Sequence, residues 1–385
     1  MEAIVIDNGS GVMKAGFASE DLPQSLFPSC ILSDNRTEVT TSPLKQHSKY
    51  SVIGSKCQQH REIVATNYPI ERGIVKDWDA LEKIWRHTFV QQLRVNPERS
   101  ALPILSCLSP SDDFAKQQGR MAQILFETYR VSGFYTMNQC SLSLFASGRT
   151  RGIVLEIGHG SSHAVPIFEG YALPHASVHY DIGGIDISKR LKILLAQDGH
   201  SVDALHPQTL DSIKESSCFM QSKAQNERDE ITSSIPFELP DGTELLIDNE
   251  TLCKPSRVLF EPKELQSECS LKCTKGIHQA VLDSIAMCDE DLRGNLRQAV
   301  LLAGGTTMIK GYSRIQEELQ SNCNEKLSVV PDAQFRERGY NTHRKIAAWI
   351  GGSILASLST FRDMHISKQE WEEHHEAILH RKCFF

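Results

Sequence analysis

Near its start the chain reads Ala3-Ile4-Val5-Ile6-Asp7-Asn8-Gly9-Ser10-Gly11, an apolar run that ends in a glycine-rich turn. The pattern returns as Gly152-Ile153-Val154-Leu155-Glu156-Ile157-Gly158-His159-Gly160-Ser161-Ser162-His163. An apolar run, a tight turn and a second semi-apolar run predict two strands joined by a hairpin. Glycine permits positive φ and lets backbone amides approach an anion. Asn8-Gly9 alone also signals a hairpin without a ligand, but its repetition favours a pair of phosphate-binding turns and a nucleotide held between two lobes.

A third glycine-rich turn follows another apolar run. Ala299-Val300-Leu301-Leu302-Ala303 predicts a buried strand, Gly304-Gly305-Thr306-Thr307-Met308 a turn, and Tyr312 to Leu319 the start of an amphipathic helix. Such a turn can accommodate a nucleotide close to the backbone. A hydroxyl cap without a ligand is the alternative interpretation.

Composition limits the class of protein. With 385 residues, 40% of them hydrophobic, the chain can bury two cores, so two lobes are expected. A net charge of -7 argues against nucleic acid as a direct partner. No run approaches 18 apolar residues, and Met1-Glu2-Ala3 lacks the basic head of a secretion signal, so we expect a soluble intracellular protein that binds no membrane.

The eleven cysteines form no CxxC pair and are interpreted as free thiols in a reducing compartment. Cys269 and Cys273 lack a matching pair at zinc spacing. His374, His375 and His380 are interpreted as surface residues rather than metal ligands. We therefore expect no structural metal site in the cysteine-rich and histidine-rich patches.

Strand-like and helical patterns alternate along most of the chain, which indicates α/β lobes with helices covering the sheets. A strand is predicted at Leu102 to Leu108, and helices at Phe114 to Val131, Met137 to Ala146 and from Trp349 onward. Ser33 to Ser51 is polar and predicts a mobile surface loop. Ser216 to Asp229 predicts a charged helix or loop, and Pro236, Pro240, Pro255 and Pro262 indicate short strands and turns of a second insertion.

Several longer runs carry a family resemblance. They are Asp7-Asn8-Gly9-Ser10-Gly11 with Lys14-Ala15-Gly16-Phe17, Tyr68-Pro69-Ile70-Glu71-Arg72-Gly73-Ile74-Val75, Leu144-Phe145-Ala146-Ser147-Gly148-Arg149-Thr150, Glu169-Gly170-Tyr171-Ala172-Leu173-Pro174-His175-Ala176, Gly304-Gly305-Thr306-Thr307-Met308, Trp349-Ile350-Gly351-Gly352-Ser353-Ile354-Leu355-Ala356-Ser357-Leu358 and His380-Arg381-Lys382-Cys383-Phe384. They occur in order over the whole chain. In these runs the sequence resembles actin and the actin-related proteins, as a divergent member.

The resemblance implies an α/β fold: a two-lobe, four-subdomain, actin-like ATPase clamshell with duplicated phosphate-binding hairpins. The first lobe would hold residues 1–146 and 347–385, with an insertion at about 33–69. The second would hold residues 147–346, with an insertion at about 183–272. ATP or ADP, with Mg²⁺ or Ca²⁺, would lie between the lobes.

The resemblance also assigns roles to residues. Phosphate contacts would come from Asp7, Ser10, Gly11, Met13, Lys14, Gly158, Gly160, Ser161 and Ser162. Residues around the nucleoside would be Gly184, Lys214, Glu215, Gly304, Gly305, Thr306 and Lys345. Asp7 and Glu156 would hold the metal through water, and Gln139 and His163 match the pair that orders the attacking water in actin.

Four positions depart from the family pattern. Glu156 and His159 stand where actin has two aspartates, so metal-linked positioning should suffer and hydrolysis should be slow or absent. Asp211 and Ile309 replace an arginine and a tyrosine beside the base, which predicts lower base affinity. Backbone amides and Lys14 remain, so nucleotide binding is expected to survive.

Assembly surfaces also depart from the family. The segment Thr37 to Ser48 replaces the loop that actin inserts into its longitudinal neighbour, and Leu44 is its only large apolar anchor. Near Lys263 to Ser267, charged residues replace part of the apolar cross-strand plug of actin. A groove that accepts a neighbour's loop or a regulator's helix is matched by Phe145, Tyr171, Ile354, Leu355 and Leu358. The chain is expected to accept a partner better than it inserts into one.

The sequence thus predicts a divergent actin-like cytoskeletal subunit of the cytoplasm, with the nucleus as a second compartment. Its partners would be actin or actin-related subunits and actin-binding regulators, and it would be a weak ATPase at most. One alternative is a nucleotide-locked module of a chromatin-remodelling or dynein-associated complex. Another is an ordinary polymerising ATPase.

Overall fold

The computed structural model describes residues 2–33, 51–54, 57, 66–111, 113–202, 205–223, 234–240, 242–263, 266, 273–331 and 338–383. The chain forms two compact units, Met1–Met137 with Leu355–Phe384, and Asn138–Ile354. The predicted loop at Ser33 to Ser51 falls almost wholly outside the described residues, as do Cys269 and most of the plug near Lys263 to Ser267. The predicted lobe and insertion boundaries stay a prediction.

The first part of the chain is rich in strands. Its elements are β1 (Ile4–Asn8), β2 (Val12–Phe17), β3 (Ser25–Pro28), β4 (Ile31–Ser33), β5 (Ser51–Ile53), β6 (Thr66–Asn67), β7 (Ile70–Glu71), β8 (Ile74–Val75), α1 (Trp78–His87), β9 (Ile104–Leu108), α2 (Phe114–Gln123) and β10 (Gly133–Asn138).

The middle part alternates helices and strands. Its elements are α3 (Gln139–Ala146), β11 (Gly152–Ile157), β12 (Ser162–Phe168), β13 (Tyr171–Ala172), β14 (Val178–Tyr180), α4 (Gly184–Gln197), α5 (Pro207–Ser217), β15 (Ser234–Glu238), β16 (Glu244–Asp248), α6 (Asn249–Cys253), α7 (Ile277–Met287), α8 (Glu290–Arg297), β17 (Val300–Ala303), α9 (Ser313–Ser321), β18 (Val329–Val330) and α10 (Arg338–His343).

The last part is mainly helical. Its elements are α11 (Ala347–Ser357), α12 (Phe361–Met364), β19 (Ile366–Ser367), α13 (Lys368–His374) and α14 (Leu379–Lys382).

The main sheet of the first unit has the strand order β19-β10-β9-β1-β2-β3 among the described residues. Strand β1 pairs antiparallel with β2 and parallel with β9. Every residue of β1 is buried, as expected for a strand covered on both faces. The first glycine-rich turn therefore projects from the middle of a buried sheet.

The main sheet of the second unit repeats this arrangement. Its described order is β13-β12-β11-β17-β18, and β14 also pairs with β12. Strand β11 pairs antiparallel with β12 and parallel with β17, as β1 does with β2 and β9. The two predicted hairpins are confirmed, and each is flanked by a parallel strand on its other side.

Both faces of the second sheet are packed. Ile153 and Leu155 of β11 belong to one apolar cluster, whereas Val154 between them belongs to another. Alternate residues of a strand point to opposite faces, so the two clusters lie on opposite sides of the sheet. Helices cover both faces, which confirms the predicted α/β class.

Two predicted helices have different boundaries. Met137 and Asn138 end strand β10, and the helix begins at Gln139, so the predicted start at Met137 is wrong. The Asn138 side chain accepts a hydrogen bond from the Cys140 amide at 2.8 Å and caps the helix. The helix predicted over Phe114 to Val131 is regular only to Gln123 and continues as a π-helical turn over Ile124–Thr128.

Two further predictions concern thiols and membranes. The ten described cysteines carry free thiols. Within the described ranges no helix is long and apolar enough to cross a membrane.

Candidate functional site

The first hairpin carries a buried ion pair. Asp7 and Lys14 face each other across β1 and β2, and Lys14 Nζ lies 2.7 Å from Asp7 Oδ2. Only 11% of the lysine side chain and 3% of the aspartate side chain are exposed. Breaking such a pair from one side leaves an uncompensated buried charge. The pair therefore fixes an ammonium group and a carboxylate beside the turn.

Polar anchors hold this turn in place. Trp85 of α1 donates its indole N–H to Asn8 Oδ1 at 2.8 Å, and the Asn8 amide donates to Ser106 Oγ at 3.0 Å. Ser10 Oγ accepts from the Gly73 amide at 3.0 Å. Met13 is fully buried, so its side chain belongs to the core. The turn residues Gly9, Ser10 and Gly11 stay partly exposed.

The second hairpin is bound to two other segments of its unit. The Gly158 carbonyl accepts from the Gly184 amide at 3.0 Å and from Thr306 Oγ1 at 2.8 Å. The His159 carbonyl accepts from the Ile185 amide at 2.8 Å. Three predicted binding residues, Gly158, Gly184 and Thr306, are thus brought together although they are far apart in sequence.

Gly304 makes this junction sterically feasible. Its φ is +89°, and an added Cβ would lie 2.4 Å from the Ile157 carbonyl oxygen. Glycine alone avoids both the strained dihedral and the contact. The Gly304 amide donates to the Arg344 carbonyl at 3.1 Å, one residue before the predicted Lys345.

Lys214 uses its ammonium group within the protein. Its Nζ lies 2.6 Å from Asp211 Oδ1, 2.9 Å from Ser188 Oγ and 3.2 Å from the Gly184 carbonyl. An ammonium group has three donors, and these contacts account for three. Burial favours a higher pKa for Asp211, but the charges of Lys214 and His159 and the hydrogen bonds from Lys214 and Ser188 together outweigh it and hold the pKa below its usual value. Lys214 therefore links Asp211, Ser188 and the Gly184 carbonyl within the protein.

Glu215 and Lys345 form a second ion pair on the same unit. Lys345 Nζ lies 2.9 Å from Glu215 Oε2, and both side chains are partly exposed. An exposed pair of this kind contributes little to stability. It can open at small cost if either group contacts a ligand.

The predicted water-ordering residues are both buried. Gln139 is the first residue of α3, and His163 lies on β12 opposite Glu156. His163 Nε2 lies 3.0 Å from Ser161 Oγ. The Ser162 hydroxyl instead donates to the Ile182 carbonyl at 2.7 Å. Ser161 and His163 thus act as one polar unit at the end of the second turn.

The Glu156 carboxylate contacts a neighbouring thiol. Cys140 Sγ donates to Glu156 Oε2 at 3.2 Å. Burial, with the Glu156 charge, raises the pKa of Cys140 well above its ordinary value, so the thiol keeps its proton. Part of the hydrogen-bonding capacity of Glu156 is consequently used inside the unit.

Comparison with protein families decides the assignment. A family model described as Actin matches residues 1–207 and 201–384. The chain belongs to the actin family. The resemblance seen in the sequence runs is thereby confirmed, and the mixed α/β sheets described above are those of an actin-like fold.

His159 is the main departure from actin at the second turn. Burial, reinforced by the charge of Lys214, lowers the pKa of His159 to about 4. The ring is therefore neutral near pH 7, where actin has an aspartate. Because the folded-state pKa lies below the ordinary 6.5, His159 makes the free energy of unfolding fall as the pH drops from about 6.5 to 4.

The predicted groove residues differ in exposure. Tyr171, Ile354 and Leu358 are exposed by 64%, 44% and 47%. Leu355 is only 7% exposed, so most of its side chain packs inside the protein. In α11 its side chain points away from the exposed face of Ile354, because neighbouring helical residues lie about 100° apart.

Sequence reasoning missed two polar residues beside His163. His179 Nδ1 lies 3.1 Å from His163 Nδ1, and His179 Nε2 lies 3.1 Å from Asp181 Oδ1. The alternation His179-Tyr180-Asp181 places both side chains on one face of a strand, but no sequence signal shows which strand they meet.

Proposed function

We propose that this member of the actin family binds ATP or ADP with Mg²⁺ or Ca²⁺ and works as a cytoskeletal assembly subunit with slow or absent hydrolysis. The observation that carries the proposal is the repeated hairpin, in which a glycine-rich turn projects from a central buried strand in each unit. Proteins of this family generally bind a nucleotide and a divalent cation. The proposed division into four subdomains keeps the boundaries predicted from the sequence.

The donor set of the turns fits a polyphosphate and a hard cation. Lys14 offers an ammonium group and Ser10 offers a hydroxyl group, and glycine-rich turns offer main-chain amides. The Asp7 carboxylate is a ligand type that Mg²⁺ and Ca²⁺ prefer. Neutral His159 does not repel phosphate, although it withholds the negative charge that would attract a metal ion.

Each group then has a defined task. Lys14 would neutralise charge on the phosphates, and Asp7 and Glu156 would hold a divalent cation through water. A bound divalent cation supplies further positive charge to the phosphate oxygens. Gln139 and His163 order a water. The junction of Gly184, Gly304 and Thr306 forms the part of the site that holds the nucleoside. Hydrolysis is slow because Glu156 and His159 position these groups less well than two aspartates.

Nucleotide binding is the first test of this function. ATP or ADP at 100 times its dissociation constant should raise the free energy of unfolding by about 2.7 kcal/mol. Thermal unfolding in magnesium buffer measures the effect. The double variant Asp7→Ala/Lys14→Ala should lose the shift, because it removes the ammonium group and the carboxylate proposed to bind the phosphates and the cation. It should still fold, because it removes the ion pair without leaving one charge buried alone.

A matched control uses an exposed ion pair of the same unit. Lys116 Nζ lies 3.4 Å from Asp113 Oδ1, with 86% and 41% of the two side chains exposed. The variant Asp113→Ala/Lys116→Ala should keep the full shift. Circular dichroism checks that both double variants are folded. Absence of a shift with either nucleotide, in a protein isolated without nucleotide, would refute the proposed binding.

Assembly gives a second test. Pure protein with ATP and magnesium should stay in the supernatant on high-speed sedimentation, because Leu44 is the only large apolar side chain in the segment Thr40 to Ser48. Actin or an actin-binding helix should bind through exposed Tyr171 and Ile354, since a buried apolar side chain contributes about 1.5–3 kcal/mol.

The groove test uses Ile354→Asp, because Leu355 is buried and Leu355→Asp would disturb the fold. Ile354→Asp should abolish co-sedimentation with actin or capture of a regulator helix. The control Leu246→Asp changes an equally apolar residue of β16 that is 59% exposed and should have no effect. Long filaments of the pure protein in electron micrographs would overturn the assembly proposal.

A nucleotide-locked module of a larger complex is the second candidate. Neutral His159 and the thiol contact of Glu156 favour it, because both weaken turnover more than binding. Such a module would co-purify with chromatin-remodelling or dynein-associated subunits. An assembly subunit of the cytoplasm would instead co-purify with actin or actin-related proteins.

A further inference from the structure

Four polar side chains of the second unit form a continuous chain of short contacts. Ser161 Oγ lies 3.0 Å from His163 Nε2, His163 Nδ1 lies 3.1 Å from His179 Nδ1, and His179 Nε2 lies 3.1 Å from Asp181 Oδ1. The first two residues were predicted from the sequence. The other two extend the chain away from the glycine-rich turn.

Strand pairing brings the two histidines together. Strand β14 pairs antiparallel with β12 so that His179 lies opposite His163. The ring centroids are 4.6 Å apart. His163 is buried, whereas about a third of the His179 and Asp181 side chains is exposed. This series of side-chain contacts therefore runs from the buried end of the turn to the surface.

The order of contacts determines where each proton lies. A carboxylate only accepts hydrogen bonds, so His179 Nε2 must donate to Asp181. When the His179 imidazole is neutral, its other nitrogen accepts, and His179 Nδ1 then receives the proton of His163 Nδ1. His163 Nε2 is then an acceptor and receives the Ser161 hydroxyl. Burial, with the neighbouring His179, lowers the pKa of His163 well below its ordinary value, which keeps its ring neutral.

We propose that His179 and Asp181 are positioning residues that hold His163 as the Nδ1–H tautomer, with its Nε2 lone pair facing Ser161. The role of this tautomer in hydrolysis rests on the proposed function. The same Nε2 lone pair accepts the Ser161 hydroxyl in this structure, and it would orient a water only when that water takes the place of the Ser161 hydroxyl as the donor. Ser161 presents its oxygen lone pairs outward, so a phosphate is held by the main-chain N–H groups of the turn.

Nitrogen NMR of histidine-labelled protein tests the tautomer without any nucleotide. The His163 resonances are assigned by their loss in His163→Gln. We expect the proton on Nδ1 in the natural protein. His179→Leu removes the acceptor, and the Nε2–H form of His163 should become the major one. His179→Gln restores a carbonyl acceptor and should keep more Nδ1–H form than His179→Leu.

Two further variants complete the design. Asp181 is partly exposed, so the variant Asp181→Ala should fold. Without the carboxylate acceptor, His179 should no longer be held in one tautomer. His175→Leu changes an exposed histidine outside this series of contacts and should leave the His163 signals unchanged. A His163 proton on Nε2 in the natural protein, or an unchanged tautomer in His179→Leu, would overturn the proposal.

Kinetics separates this inference from the proposed function. If the protein hydrolyses ATP, His179→Leu should lower kcat about 10-fold with KM unchanged, and His179→Gln should recover part of the loss. Equal kcat in the natural protein and His179→Leu would contradict positioning. Failure of nucleotide binding would refute the proposed function, whereas the tautomer measurement would still decide the role of His179.

Discussion

Replacing Gly351 by alanine should destabilise the protein strongly, although it adds only one methyl group. An added Cβ would lie 1.8 Å from the Leu142 carbonyl oxygen and 2.5 Å from the Leu142 carbonyl carbon. Gly351 belongs to α11 and Leu142 to α3, so the two helices touch backbone to backbone at this point. Backbone atoms cannot rotate away as a side chain does, so the helices must separate.

The expected loss is at least about 2 kcal/mol in the free energy of unfolding. Overpacking costs about 1–3 kcal/mol or more, whereas alanine recovers up to about 1 kcal/mol of helix propensity. We place the result at the upper end because a backbone carbonyl is involved. Urea denaturation followed by circular dichroism measures the change.

Gly294 provides the matched control. It lies inside α8, and an added Cβ would meet no atom within 4 Å. Gly294→Ala should therefore stabilise the protein by about 0.5–1 kcal/mol through helix propensity alone. Equal stability of the two alanine variants would show that α3 and α11 do not make the close contact.

The second large effect concerns hydrolysis. Combining Glu156→Asp with His159→Asp should raise the rate of phosphate release by about 10- to 100-fold. The first change shortens a side chain whose carboxylate contacts the Cys140 thiol. The second places a carboxylate where the ring is neutral near pH 7, beside Lys214. Both changes restore the aspartates that orient a metal-bound water in actin.

Phosphate release in ATP and magnesium measures this effect, with filamentous actin assayed under the same conditions. The control Glu373→Asp/His374→Asp makes the same two chemical changes at exposed positions of α13 and should leave the rate unaltered. Wild-type turnover as fast as that of filamentous actin would show that Glu156 and His159 do not limit hydrolysis.

Local sequence patterns were sufficient for the hairpins and for the family. Asp7 to Gly11 and Glu156 to His163 each place glycines directly after an apolar run, and tight turns depend on the few residues that form them. The corresponding strands pair as predicted. The start of α3 was misplaced because periodicity alone does not distinguish the end of a strand at Met137 from the start of a helix.

Contacts between segments that are distant in the chain could not be predicted from the sequence. Leu355 and Ile354 are equally apolar neighbours, and only the packing around α11 buries one and exposes the other. Likewise, the register of β12 with β14 brings His179 to His163.

The sequence by itself thus determined the family, the α/β class and the position of the paired turns, because these depend on residue order and on local backbone geometry. Tertiary structure alone decided the protonation of His159, the internal hydrogen bonds of Lys214 and the partner of His163. Each of these depends on burial and on distances between side chains that approach one another only when separate strands and helices pack.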